Sequence, residues 1–105
     1  MLYIDESQNG RDIELRLGET VAVRLSENPT AGFRWKLDSS GAPVCTLVEN
    51  DYQPSASAPG AGGIHRWQFQ AAQVGEGRIE LSSRRSWEGQ GQAARTFTLR
   101  IRVAK

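Results

Sequence analysis

The chain has 105 residues, 38% of them hydrophobic and 24% charged, with thirteen Lys and Arg against twelve Asp and Glu. That is the length of one domain, 1–105, able to bury enough surface to fold without cross-links. A net charge of +1 gives no field for holding nucleic acid or an anionic bilayer, and no apolar run approaches the roughly 20 residues of a membrane span. One cysteine and one histidine exclude an internal disulfide and an ordinary structural zinc site. No pattern calls for a cofactor. The N-terminal stretch MLYIDESQNGRD lacks the basic and apolar regions of a signal peptide. The expected location is cytoplasmic if the chain is complete as given, and periplasmic or extracellular if a leader has been removed.

The dominant period along the chain is two. Leu2–Ile4 reads as a short edge strand. Ile13, Leu15 and Leu17 then alternate with Glu14 and Arg16, and Val21, Val23 and Leu25 with Ala22 and Arg24. Phe33, Trp35 and Leu37 alternate with Arg34 and Lys36. Val44–Val48 is a shorter apolar run of strand type. Trp67, Phe69 and Ala71 alternate with glutamines, Ile79 and Leu81 with Glu80 and Ser82. Phe97, Leu99, Ile101 and Val103 alternate with Thr98, Arg100 and Arg102. Each run puts its apolar members on one face of a strand, and no window carries a helical stripe. An all-β, immunoglobulin-like antiparallel sandwich of seven to eight strands satisfies the pattern.

The connections between the seven main strands fall into two kinds. Gly18-Glu19, Asp38–Pro43 and Gln73–Gly77 are short and ordinary. Ser26–Gly32, Glu49–Gly63 and Ser86–Ala94 are irregular or glycine-rich, and the two kinds alternate. Successive strands of such a sandwich run oppositely, so alternate connections emerge at the same end. The three irregular ones are therefore expected to cluster, as binding loops on a rigid scaffold do.

These loops have specific residues. Asn28-Pro29-Thr30-Ala31-Gly32 combines a fixed φ at Pro29, a free one at Gly32, and an Asn28 side chain suited to holding the turn. By turn chemistry alone it is a tight turn. Gly60-Ala61-Gly62-Gly63 lacks the Gly-Lys-Ser/Thr ending of a phosphate loop and precedes a strand. Its glycines admit close approach by another backbone. Arg85-Ser86-Trp87 ends a strand among loop glycines. Trp87 reads equally as a residue tucked onto the core or as an exposed anchor. Trp35 and Trp67 keep strand phase and read as core.

Together the three segments resemble the chagasin family of proteinaceous inhibitors of papain-like cysteine peptidases. That family carries Asn-Pro-Thr-Thr-Gly-Tyr/Phe, Gly-x-Gly-Gly and Arg-Pro-Trp/Phe motifs in this order. Here they stand as Asn28-Pro29-Thr30-Ala31-Gly32-Phe33, Gly60-Ala61-Gly62-Gly63 and Arg85-Ser86-Trp87. Ala31 replaces a threonine and Ser86 a proline. The resemblance covers essentially the whole chain. It implies a monomeric, reversible, non-covalent inhibitor whose partner is a papain-like, cathepsin-L-like peptidase. Thr30 would sit at the catalytic centre, Gly60–Gly63 along the non-primed side, and Arg85 and Trp87 on the primed side.

Two other readings compete. His65 alternates in phase with Trp67 and Phe69 and reads as a semi-buried structural histidine. Cys45 reads as an inert core thiol, so a Cys–His enzyme is disfavoured. An immunoglobulin-like adhesion or carbohydrate-binding module would use the same loops for a partner that is not a peptidase. Arg95, Arg100 and Arg102 look like a solvated strand face rather than a nucleic-acid site.

Overall fold

The computed structural model describes residues 1–27, 33–54, 62–85 and 95–105. Among the described residues there are eight strands: β1 (Leu2–Ile4), β2 (Asp12–Arg16), β3 (Thr20–Glu27), β4 (Phe33–Ser40), β5 (Cys45–Pro54), β6 (Gly63–Ala71), β7 (Gly75–Arg85) and β8 (Arg95–Ala104). A single 3₁₀ turn at Glu6–Gln8 separates β1 from β2. The strands form two four-stranded sheets, β1-β3-β6-β5 and β2-β8-β7-β4. The sandwich expected from the alternation is thus observed. It is not antiparallel throughout: β1 runs parallel to β3, and β2 parallel to β8. The N-terminal segment contributes one edge strand to each sheet.

The two inner faces interdigitate into one core. Val21, Val23 and Leu25 of β3 and Trp67, Phe69 and Ala71 of β6 meet Trp35, Ile79, Leu81, Phe97, Leu99, Ile101 and Val103 of the facing sheet. Ile4 and Leu15, from the two short edge strands, are also buried, which gives the apolar Leu2–Ile4 its role. Cys45 lies in the same core, and burial pushes its thiol up, so it stays protonated and unreactive.

Four details depart from the expected pattern of buried apolar runs and polar loops. Leu17 is 50% exposed because β2 ends at Arg16 and the chain turns through Gly18 at φ +90°. Ala22 is fully buried although it is out of phase; it lies between Tyr3 of β1 and Gln68 of β6. Val48, the end of the apolar run, is 49% exposed because it alternates with buried Cys45 and half-buried Leu47, and the pairing with β6 shifts register between Leu47 and Glu49. Beyond it β5 continues to Pro54, paired with β6 as far as Gly63. Glu49–Pro54 is therefore strand, not loop. It is polar because β5 is an edge strand and only Tyr52 and Asp51 are even half-buried there.

The end of the sandwich carrying the short links is held largely by main chain. Val44 N–H donates to Gly41 O, Ala72 N–H to Val44 O, and Gly18 N–H to Ala71 O, at 3.0, 2.7 and 2.9 Å. Gly77 has no room for a side chain there, since a Cβ would stand 2.8 Å from Gly41 O. The core residues set the stability. Leu99→Ala is expected to lower the unfolding free energy by about 2–5 kcal/mol. Leu17→Ala should change it by less than about 0.5 kcal/mol. Urea denaturation of the two variants checks the contrast.

Candidate functional site

The strand ends that flank the three irregular segments gather at the opposite end of the sandwich. In one sheet the last residue of β3, Glu27, pairs with the first of β6, Gly63, and Gly63 pairs with the last of β5, Pro54. In the other, Phe33 opens β4 opposite Arg85, which ends β7, and Arg95 opens β8 opposite Ser83. All six attachment points of 28–32, 55–62 and 86–94 thus lie at one end.

Of the residues singled out from sequence, Phe33, Gly62, Gly63 and Arg85 fall within the described backbone. Phe33 and Arg85 are register partners. Gly62 has φ +77°, a conformation that L side chains resist. Gly63 is crowded: a Cβ would stand 2.7 Å from Pro54 Cα and 2.8 Å from the Tyr52 hydroxyl. The last two glycines of the motif are therefore demanded by the backbone where the chain rejoins β6. Asn28, Pro29, Thr30, Ala31, Gly32, Gly60, Ala61, Ser86 and Trp87 lie outside the described residues.

Among the described residues, bonds that involve side chains tie the two sheets together at this end. The Trp35 N–H donates to Glu27 Oε2 at 2.6 Å, and the Trp35 indole N–H donates to Ser26 O at 2.8 Å. Each bond crosses from β4 to β3, between the two sheets. Glu27 Oε1 lies 3.1 Å from His65 Nδ1. The His65 ring stacks on Trp67 at 3.9 Å between centroids, and its Nε2 is 3.4 Å from Asn50 Oδ1. His65 is thus a satisfied structural histidine, as its phase suggests. Cys45 pairs with Ala71, six positions along β6 from His65, or about 20 Å at the rise of a strand. The two cannot form a nucleophile–base couple.

A second carboxylate joins the same end. Glu6 Oε1 accepts from the Ser26 hydroxyl at 2.6 Å and from the Ser26 N–H at 2.8 Å. Its Oε2 lies 2.6 Å from Arg95 Nη2, and the Arg95 guanidinium sits 5.2 Å over the Trp35 ring. Arg95 shares the phase of Phe97 and Leu99, so it is not part of a solvated arginine face. It closes the core where the inner face of β8 reaches solvent. Arg100 does lie outward, paired with Asp12. Glu6 is aimed by its 3₁₀ turn: Asp5 Oδ1 accepts from Ser7 N–H at 2.9 Å, and Gln8 Oε1 accepts from Asp5 N–H at 3.0 Å, a capping box. Asn9 ties the turn to β8 through Thr96 O and Thr98 N–H.

Partial burial pushes the Glu6 carboxyl up. The Ser26 hydroxyl, the Arg95 guanidinium and the Ser26 N–H together outweigh it and hold the group below its ordinary value. None of Glu6, Ser26, Glu27 or Arg95 was singled out by motif. Phase alone could have flagged Glu27, which continues the inward series Val21, Val23, Leu25.

A concavity of about 720 Å³ lies toward the other end, on the outer face of β2, β8 and β7. Asp12, Glu14 and Glu76 face Arg78, Arg100 and Arg102 there, so the lining charges balance and leave no net field for a charged ligand.

Residues 14–101 match the chagasin family of peptidase inhibitors, I42. Amoebiasin-1 of Entamoeba histolytica is 34% identical over 107 residues, covering 97% of this chain and 99% of that protein. Chagasin of Trypanosoma cruzi is 25% identical over 105 residues, covering 95% and 96%. The crystal structure of the cysteine protease inhibitor EhICP2 from Entamoeba histolytica superposes with a TM-score of 0.85 over 98% of this chain and 94% of that one, at 17% identity.

The lowered Glu6 carboxyl fixes the sign of a pH effect. A group depressed by folding stabilises above its unfolded pKa, and that contribution fades as pH falls through the folded value. Wild type should exceed Glu6→Gln in stability at pH 7 by no more than about 1 kcal/mol, since the pair is solvent-screened. The gap should close on acidification. Thermal melts of both proteins between pH 7 and pH 3 measure it.

Proposed function

The chain belongs to the chagasin family of peptidase inhibitors, and on that premise we propose that it blocks the cleft of papain-like cysteine peptidases with three loops, reversibly and without a covalent bond. It is an inhibitor, not an enzyme. The observation that carries the loop reading is the gathering of six strand ends around 28–32, 55–62 and 86–94 at one end of the sandwich.

In this reading Thr30 and Ala31 tip a wedge at the catalytic Cys–His centre, stiffened by Pro29 and flanked by Asn28, Gly32 and Phe33. Gly60, Ala61, Gly62 and Gly63 offer main-chain hydrogen bonds to the non-primed side of the cleft, as an extended segment does when it pairs with an edge. Arg85, Ser86 and Trp87 reach the primed side, where Trp87 buries its ring as an anchor. The wedge survives because no peptide carbonyl of it reaches attack geometry beside the oxyanion hole. A framework fixed on both sheets lowers the ordering entropy lost on binding. Ala31 removes a hydroxyl from the wedge and Ser86 frees the approach to Trp87, so both tune affinity rather than abolish it.

Titration of papain and a cathepsin-L-like enzyme, with a fluorogenic peptide substrate and a serine peptidase as control, tests the class. Loss of activity in the cysteine enzymes alone, recovered on dilution with the inhibitor uncleaved, is expected. No inhibition at micromolar concentration would refute it. The same assay ranks the loops. Trp87→Ala should lose about 2–4 kcal/mol of binding. Gly62→Val should weaken inhibition through its left-handed backbone while the domain stays folded. Unchanged inhibition constants for both variants would remove the three-loop scheme.

A further inference from the structure

Glu27 stands at an unusual place. It is the last residue of β3, immediately before residues 28–32. It continues the inward phase of Val21, Val23 and Leu25, and its side chain is only 5% exposed. An apolar residue would fill such a position with less desolvation, since a buried carboxylate is tolerated only when its oxygens are well partnered. Both oxygens are. Oε2 accepts from the Trp35 N–H at 2.6 Å, and Oε1 faces His65 Nδ1 at 3.1 Å.

Both partners are placed tellingly. Trp35 lies two residues after Phe33, where the chain re-enters the sandwich from 28–32. His65 lies two residues after Gly63, where it re-enters from 55–62. One carboxylate therefore joins both ends of the first segment to the return point of the second. His65 is itself immobilised by its stack on Trp67 and by Asn50 on β5, the strand that leads out to 55–62. Hydrogen bonds to a buried charge are the directional kind that fix geometry.

We propose that Glu27 is a positioning residue for peptidase binding: its shared carboxylate sets how the 28–32 segment leaves the sandwich, and where it stands relative to 55–62, before the peptidase is met. The proposal rests on the inhibitory reading above. Glu27 is buried and touches no peptidase atom in this scheme. Its loss lowers the fraction of molecules whose loops are correctly set, and apparent affinity falls in proportion to that fraction. Such a loss slows association and leaves dissociation unchanged. Removing a contact residue does the reverse and speeds dissociation.

Progress curves of papain inhibition give both rate constants. The proteins compared are wild type, Glu27→Ala, Glu27→Gln, His65→Phe and the core variant Ile101→Val, all at a temperature where circular dichroism reports them folded. Glu27→Ala should slow association about tenfold or more, with dissociation within about twofold of wild type. His65→Phe retains an aromatic ring beside Trp67 while losing the Nδ1 partner, and should slow association less. Ile101→Val should be destabilised without either rate changing. If Glu27→Ala does not fold, Glu27→Gln decides, with association at least about threefold slower. Unchanged association in the folded Glu27 variants, an effect confined to dissociation, or an equal effect of Ile101→Val would each overturn the proposal while the inhibitory reading stood. A wild-type protein that does not inhibit papain would overturn that reading and the proposal with it.

Discussion

Two sheets packed face to face share no main-chain hydrogen bonds across the core, so the sandwich depends at its loop end on side chains that reach from one sheet to the other. The side chains of Trp35 and Glu27 do this in opposite directions. The Trp35 indole and backbone N–H both donate to β3, one to Ser26 O and one to the Glu27 carboxylate. Glu6 and Arg95 add the second tie, gripping Ser26 from the N-terminal turn and covering the Trp35 ring from β8. Without these contacts the interdigitated apolar core would still form, but the strand ends at this end would be free to splay. The other end needs no such device, because Gly41, Val44, Ala72 and Gly18 close it with backbone bonds.

This division of labour has a functional logic. An inhibitor that occludes a cleft must present several segments in one arrangement, and each degree of freedom lost on docking subtracts from affinity. Polar ties between buried groups are poor sources of net stability but strong sources of direction. Their concentration where 28–32, 55–62 and 86–94 attach suits a surface whose value lies in geometry. The near-neutral net charge fits the same picture, with recognition carried by shape and main-chain bonding rather than by long-range attraction.

Much of the fold is legible in the sequence because burial on one face of a strand leaves a period of two. Ile79, Leu81, Phe97, Leu99, Ile101 and Val103 all point where their phase says. Phase fails where a second constraint intervenes. Ala22 is covered by an edge strand on the outer face, and the polar half of β5 has no buried face to leave a signature. The loop residues could be picked out because turns and close approaches demand Pro and Gly in particular places, as Gly62 and Gly63 illustrate. The roles of Glu27 and Arg95 could not, although both keep the inward phase of their strands. Their partners lie 8, 38 and 89 residues away along the chain, and phase places a charged residue at a strand end on the inner face without saying which groups it meets there.

The central claim is that one end of this sandwich, and no other surface, meets the peptidase. Amide hydrogen exchange of the protein with and without inactivated papain tests it directly. New protection should be confined to the segments around 28–32, 55–62 and 86–94. Protection instead at 41–44 and 72–74, or along an outer sheet face, would contradict the account.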